Sequence, residues 1–150
     1  MLSLSHTLIS LPFAFYFQNP FLIFAAAFLF HFFCDTLLHW NIYPDNFKKY
    51  PVALVAADII GGLILTYLFI GNQLFTIPIL AAIAGGNAPD ILQGLWGFTP
   101  KKVKDTYFSW AKPAFSWHHN LQLETDNFWQ GIISQIVLIA ISITIIKTWF

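Results

Sequence analysis

The chain contains no arginine and a single cysteine, and only 9% of its 150 residues are charged. Without arginine, no planar guanidinium fork is available to clamp a phosphate or a carboxylate. The lone Cys34 excludes a disulfide within the chain. Seven lysines balance seven acidic residues, so the formal net charge is zero. This balance gives no indication of a nucleic-acid partner.

Apolar sequence, in contrast, is abundant. Hydrophobic residues make up 57% of the chain and aromatic residues 19%, and the mean hydropathy is +0.66. A water-soluble domain of this size has no core large enough to bury that much apolar sequence. We therefore predict an all-α fold, a polytopic integral membrane helical bundle that forms a single domain over residues 1–150.

Five apolar segments are candidates for membrane helices and predict four to five spans. They cover Leu2–Phe17, Phe21–Trp40, Val52–Ile70, Ile77–Phe98 and Phe128–Ile146. The first segment is short, and the sequence leaves open whether it crosses the membrane or re-enters. The fourth is expected to break midway, at Gly85-Gly86-Asn87-Ala88-Pro89-Asp90, where Asn87 and Asp90 also have the spacing of helix-capping residues.

The lysine distribution predicts the orientation. Six of the seven lysines lie in two polar linkers, Asn41–Pro51 and Thr99–Asn127. Two predicted spans separate these linkers, which places them on the same side of the membrane. By the positive-inside rule this side is cytoplasmic. We therefore expect an integral protein of the cell (inner) membrane, with membrane lipids as partners and its Lys-rich loops in the cytoplasm.

A stripe of ionisable side chains interrupts the second apolar segment. His31, Asp35 and His39 recur every four residues, so on a helix each step turns the side chain by only about 40° and rises roughly 6 Å. Neighbours at this spacing can bind one metal ion, as two helical histidines do in zinc proteases. Alternatively, both imidazoles hydrogen-bond the Asp35 carboxylate and hold helices together.

The predicted topology brings further ionisable residues to the same depth. Asp35, Asp58 and Asp90 all fall roughly 7–11 Å below the Lys-rich face. A carboxylate deep in a span costs about 2.5–3.5 kcal/mol on insertion scales, and neighbouring carboxylates repel one another. A divalent cation removes both penalties, so we favour a metal site over a purely structural stripe. The candidate ligands are His6, His31, Asp35, His39, Asp90, His118 and His119.

Several short motifs resemble a known family. His31-Phe32-Phe33-Cys34-Asp35, Pro89-Asp90 and Trp117-His118-His119 resemble motifs of the predicted membrane-bound metal-dependent hydrolases, which are distantly similar to zinc-dependent phospholipase C. Ser5-His6-Thr7 resembles the opening of the membrane family. Pro89-Asp90 follows the histidine helix here, whereas the Pro-Asp element precedes it in the soluble phospholipases. His118-His119-Asn120 stands where the membrane family has a longer His-Arg-Gly-x-x-His motif.

This resemblance implies a membrane-embedded, metal-dependent hydrolase that acts on a phosphoester at the cytoplasmic face. The expected substrate is a phospholipid or another lipid-linked phosphate, and the expected cofactor is one or more divalent ions, zinc first and manganese second. Asp58 is expected to accept the proton during catalysis. Three alternatives stay open: a divalent-metal carrier or transporter, a haem protein with two axial histidines, and a structural membrane subunit without catalysis. The oligomeric state is also left open.

Overall fold

A computed structural model describes residues 1–42 and 51–148 of the chain. The helices are α1 (Ser3–Tyr16), α2 (Pro20–Asp35), α3 (Pro51–Ile70), α4 (Ile77–Phe98), α5 (Lys101–Tyr107), α6 (Lys112–Leu121) and α7 (Phe128–Lys147). Short 3-10 helices at Gly71–Phe75 and Ser109–Ala111 join some of them. No β-strand occurs in the described residues, so the all-α prediction is confirmed there. Most of the first Lys-rich linker, including Lys48 and Lys49, lies outside the described residues.

Helix α1 is the central element of the bundle. It packs against α2, α3, α4 and α7. Every residue from Ser5 to Leu11 is buried, so this stretch is enclosed on all sides rather than along one stripe. Its 14 residues extend only about 21 Å. The first predicted membrane segment is therefore a short helix that brings polar Ser5 and His6 into the interior of the bundle.

The second helix is shorter than the sequence predicts, and the expected continuation to Trp40 is wrong. Helix α2 begins where the Asn19 side chain accepts a hydrogen bond from the Phe21 N–H, with Pro20 in the first turn. It ends at Asp35, and the following residues pair instead with the segment after α6. The His39 N–H donates to the Leu123 carbonyl at 3.0 Å. Because this N–H bonds to a distant segment, residue 39 does not continue the hydrogen bonding of α2.

Helix α4 is continuous, so the predicted break at Gly85–Asp90 is wrong. The Asn87 side chain does not cap a new helix. Its amide donates a hydrogen bond to the Ile83 carbonyl of the preceding turn at 2.8 Å. The two glycines serve close packing. A Cβ atom on Gly85 would lie 2.4 Å from the Phe24 carbonyl oxygen of α2. Because glycine has no side chain, α4 can approach its neighbours closely enough to bring their polar groups together.

Among the residues that the structure describes, two helical segments are long and apolar enough to cross a membrane. They are Ala53–Phe75 and Phe128–Lys147, with mean hydropathies of 2.2 and 2.0. Only 17% and 22% of their most apolar windows are buried within the protein. The core helix of a soluble protein would be mostly buried, so this exposure favours lipid as the surroundings of these helices.

A closed apolar cluster fills the end of the bundle where α1 finishes. Its buried members are Leu8, Leu11, Ile70, Leu74, Ile79 and Ile146. They come from the C-terminal parts of α1, α3 and α7, the start of α4, and the turn that joins α3 to α4. The polar residues of α1, in contrast, lie towards its beginning, and there the candidate site is found.

Candidate metal centre

Three helices bring four ionisable side chains together near the start of α1. His31 and Asp35 come from the last turns of α2, Asp90 from α4 and His118 from α6. Each offers one ligand atom, and these atoms all lie within 4.8 Å of one another. The side chains of His31, Asp35 and His118 are buried, and that of Asp90 is partly exposed. We call these four residues, together with His6, the His/Asp cluster.

Asp35 is at the centre of the His/Asp cluster and is completely buried. Its Oδ2 atom lies 3.0 Å from His31 Nε2 and 3.3 Å from His118 Nε2. Its Oδ1 atom lies 3.2 Å from His6 Nε2 and 3.1 Å from the α-amino group of Met1. The carboxylate therefore faces three imidazoles and one ammonium group, and no apolar side chain separates them.

Asp90 approaches the same imidazoles with a second carboxylate. Its oxygens lie 3.6 Å from His31 Nε2 and 3.7 Å from the Nε2 atoms of both His6 and His118. These distances are too long for hydrogen bonds and short enough for ligands that share one ion. The Asp90 side chain keeps 27% of its surface exposed, which makes it the most accessible member of the His/Asp cluster.

The hydrogen bonds fix which atoms of His31 are available. Its Nδ1 lies 2.7 Å from the Gly86 carbonyl oxygen, which can only accept, so Nδ1 carries the proton. In the neutral ring Nε2 then has a lone pair, yet it points at Asp35 and lies 3.2 Å from His118 Nε2. A carbonyl bond of this kind is the usual support for a metal-binding histidine.

His6 is a further buried imidazole, and its Nε2 atom lacks a hydrogen-bond partner. Its imidazole stacks on His31 with ring centroids 3.9 Å apart, and only 2% of the residue is exposed. Its Nε2 atom makes no hydrogen bond although two carboxylates are close. Buried polar atoms are normally paired, so an acceptor-rich cluster with an unpaired nitrogen fits a bound cation.

Gln122 supplies the donors beside the His/Asp cluster. Its amide nitrogen lies 3.4 Å from Asp35 Oδ2, 3.5 Å from Asp90 Oδ1 and 3.4 Å from His118 Nε2. Gln122 is not among the site residues predicted from the sequence. Gln122 lies four residues after His118, and this spacing places both side chains on the same side of a helical turn. The spacing is the feature of the sequence from which Gln122 could have been predicted to lie near the cluster.

Comparison with protein-family models, with curated proteins and with solved structures gives no significant match. The resemblance to metal-dependent hydrolases stays a prediction that rests on the short motifs quoted above.

Two predicted ligands lie away from the His/Asp cluster. His39 leaves the expected stripe because α2 ends four residues before it, and its Nε2 faces Glu124 Oε1 at 3.8 Å. His119 follows the buried His118 on α6 but is exposed. Trp117 and His118 pack against Phe32 of α2, with ring centroids 5.1 and 5.2 Å apart, and this contact selects which of the two adjacent histidines points inward.

Asp58, the predicted proton acceptor, holds the backbone of α1. Its Oδ2 atom accepts the Ser3 N–H at 2.7 Å and its Oδ1 atom accepts the Leu4 N–H at 3.3 Å. These are unsatisfied donors of the first turn, which a carboxylate caps favourably. Asp58 is not among the four residues whose ligand atoms converge. Asp58 therefore binds the first turn of α1 and lies outside the His/Asp cluster.

Proposed function

We propose that this protein is a membrane-embedded metal-dependent hydrolase of phosphoesters, with its His/Asp cluster as the metal centre. One observation carries the proposal: three imidazole Nε2 atoms and two carboxylates face one another in a buried space. The three Nε2 atoms lie between 3.0 and 3.3 Å from the Asp35 oxygens. Such an arrangement of acceptors is unfavourable unless a cation or protons lie between them.

The donor set suits a divalent transition metal. Imidazole nitrogen and carboxylate oxygen together are typical ligands of catalytic zinc, and manganese shares the preference for oxygen. The α-amino group of Met1 balances one of the two carboxylate charges at most. We propose that the ion takes its ligands from His6, His31, Asp35, Asp90 and His118, with zinc as the first choice and at least one position left to water.

The ion and the residues around the cluster would have different roles in hydrolysis. A divalent ion there would supply Lewis acidity towards water and a phosphoryl oxygen. Asp90 borders the accessible side and is placed to accept a proton, because its carboxylate is the least buried. Gln122 orients both carboxylates through its amide donors. Since the chain contains no arginine, attraction of a phosphate would depend on lysines, and among the described residues α5 and α6 carry such lysines in the segment after α4.

We further propose that the bundle is polytopic and that its metal centre opens towards the cytoplasm. The apolar α2 and the longer α4 pack against each other and against α1, which also contacts α3 and α7, and we infer that all five lie in the membrane. The Lys-rich segment after α4 then covers the centre from the cytoplasmic side. A phospholipid or lipid-linked phosphate, the substrate class that the motifs imply, would reach the centre from this interface.

A transport role is less well supported. A carrier needs polar groups that continue to the opposite face, but the far end of α1 is closed by the apolar cluster around Leu8 and Leu11. The buried polar residues of α1 are Ser5, His6, Thr7 and Ser10, and none of them lies beyond Leu11. The described geometry therefore favours a centre that opens on one side only.

The decisive experiment is elemental analysis of the detergent-purified protein after zinc or manganese has been supplied and the excess removed. We expect at least one equivalent in the wild type, loss of that ion in Asp35→Asn, and full retention in Asp126→Asn. Asp126 is exposed and serves as the matched control. Release of phosphate or of a phosphorylated headgroup from phospholipid and phosphomonoester substrates should follow the metal content.

Each result separates the alternatives. A wild-type protein that binds no metal would reject the hydrolase proposal, and the polar cluster would then only hold helices together. Unchanged metal in Asp35→Asn would place the ion elsewhere. A metal lost in Asp35→Asn without any phosphoester hydrolysis by the wild type would favour the carrier.

A further inference from the structure

His39 and Glu124 are held side by side outside the His/Asp cluster. The His39 N–H donates to the Leu123 carbonyl and the Thr125 N–H donates to the His39 carbonyl, both at 3.0 Å. These two bonds form an isolated parallel bridge that sets His39 opposite Glu124. Residues opposite each other in such a bridge project their side chains to the same side of the backbone. The pairing therefore directs an imidazole and a carboxylate into one place.

His39 has the features of a metal ligand. The residue is completely buried, and its Nδ1 lies 2.7 Å from the Leu37 carbonyl oxygen, so Nδ1 carries the proton. Nε2 then holds the lone pair, and this atom has no hydrogen-bond partner. The same carbonyl support orients His31 in the His/Asp cluster.

The Glu124 carboxylate and the His39 Nε2 atom are too far apart for a hydrogen bond and leave space for an ion between them. Glu124 Oε1 is 3.8 Å from His39 Nε2, well beyond a hydrogen bond. The Asn41 amide donates to the same oxygen at 3.4 Å and holds it in place. Zinc lies about 2.0–2.2 Å from such nitrogen and oxygen ligands, so one ion between the two atoms spans this separation. Glu124 is 21% exposed, which leaves a side for further ligands.

The backbone of this pair is fixed from the opposite side by α7. A Cβ atom on Gly131 would lie 2.2 Å from the Trp40 nitrogen, so the chain next to His39 lies directly on this helix. The Gln135 amide donates to the Trp40 carbonyl at 2.8 Å. His39 is thus held in a rigid setting, as a metal ligand requires.

We propose that His39 and Glu124 bind a second divalent transition-metal ion, separate from the ion of the His/Asp cluster. The imidazole nitrogen and the carboxylate oxygen supply two protein ligands, and water or an oxygen of a bound phosphate supplies the rest. The Leu123 N–H donates to the Asp35 carbonyl at 2.8 Å, so one extended segment connects the two sites. This goes beyond the proposed function, which needs only the first ion.

The test measures zinc stoichiometry on the full chain in detergent. The protein is stripped with chelator, titrated with zinc by calorimetry, and analysed for bound metal after gel filtration. We expect two equivalents in the wild type and one in both His39→Gln and Glu124→Gln. Asp35→Asn should also lose one equivalent, and a variant with both His39→Gln and Asp35→Asn should bind none. His119→Gln, an exposed histidine on α6, should keep two.

Several outcomes would overturn the second site without touching the first. One equivalent in the wild type that is lost in Asp35→Asn but kept in His39→Gln leaves only the ion of the His/Asp cluster. Equal loss in His39→Gln and His119→Gln indicates binding to surface histidines and also rejects it. If His39→Gln does not fold, Glu124→Gln decides the question, and its unchanged stoichiometry contradicts the proposal. Absence of zinc in the wild type overturns both proposals together.

Discussion

The two ends of α1 differ in what holds them in the bundle. Its first half lies among carboxylates, imidazoles and amides, including Asp58, Asn87 and Gln135. Its second half lies among aliphatic side chains that form a closed cluster. Aliphatic contacts are non-directional and tolerate exchange, whereas the polar contacts each require a particular partner at a particular distance. The apolar end is therefore expected to contribute stability, and the polar end to define the chemistry.

The largest effect on stability is expected at the apolar end. Leu11→Ala would leave a cavity where Leu11 packs within the apolar cluster, and such truncations cost about 2–5 kcal/mol. The free energy of unfolding in detergent measures this loss, and zinc stoichiometry should stay at the wild-type value. Leu29→Ala, on an exposed position of α2, is the control and should change little. A loss of metal in Leu11→Ala would contradict the separation of the two ends.

A smaller loss of stability, joined by a loss of metal, is expected where the two ends meet. A Cβ atom on Gly86 would lie 2.8 Å from Ser10 Oγ and 3.0 Å from the His6 carbonyl oxygen. Gly86→Ala should therefore cost about 1–3 kcal/mol and displace His6 from His31. Gly94→Ala on the same helix meets no atom within 4 Å and should keep or slightly raise stability. Equal unfolding midpoints for the two variants would refute the close contact.

Gln122, which lies beside the metal centre, should affect the affinity for zinc and not the stability of the fold. Gln122→Ala removes the amide that lies between Asp35 and Asp90, and the loss of such an outer partner weakens metal binding by about 10- to 100-fold. Zinc titration would show the change, while the unfolding midpoint of the metal-free protein should stay constant. Gln130→Ala, an exposed glutamine on α7, provides the matched comparison. Unaltered zinc affinity in Gln122→Ala would exclude a supporting role for this side chain.

The smallest effect on stability is expected for a surface ion pair that lies at neither end of α1. Lys112 contacts Asp105 on the exposed surface, and the ammonium group holds the pKa of that carboxyl below its usual range. Any stabilisation exists above the unfolded-state pKa and is lost as the pH falls through the folded-state pKa. Because the pair is exposed, Asp105→Asn should leave the thermal midpoint unchanged at neutral pH. A clear drop at neutral pH that disappears in acid would show that this surface pair matters more than expected.

The sequence predicted much of the fold because long apolar segments have few alternatives. The limits expected for the last segment, Phe128–Ile146, differ from those of α7 by one residue. The end of α2 could not be predicted in the same way, because it depends on pairing between His39 and a segment 84 residues later. The continuity of α4 was missed because the glycines that suggested a break serve close packing instead.

The candidate site was predictable only where its residues share a helix. The spacing of His31 and Asp35 on α2 is local and can be read from the chain. Choosing His118 over His119 requires the rotation of α6 relative to Phe32, and this is a tertiary property. The role of Asp58 was similarly hidden, since its partners are backbone N–H groups of α1 that no side-chain pattern reveals.

Three glycines restrict how this chain can change. At Gly85, Gly86 and Gly131 even a methyl group would overlap atoms of a neighbouring segment; the nearest atom is a backbone atom at Gly85 and Gly131 and Ser10 Oγ at Gly86. A larger residue at position 86 would therefore require a smaller one in place of Ser10, whereas Gly85 and Gly131 face backbone atoms that no side-chain exchange removes. The aliphatic end can exchange leucine, isoleucine and valine one at a time. Divergent versions of this protein should consequently vary first in their aliphatic half and keep the spacing of their polar half.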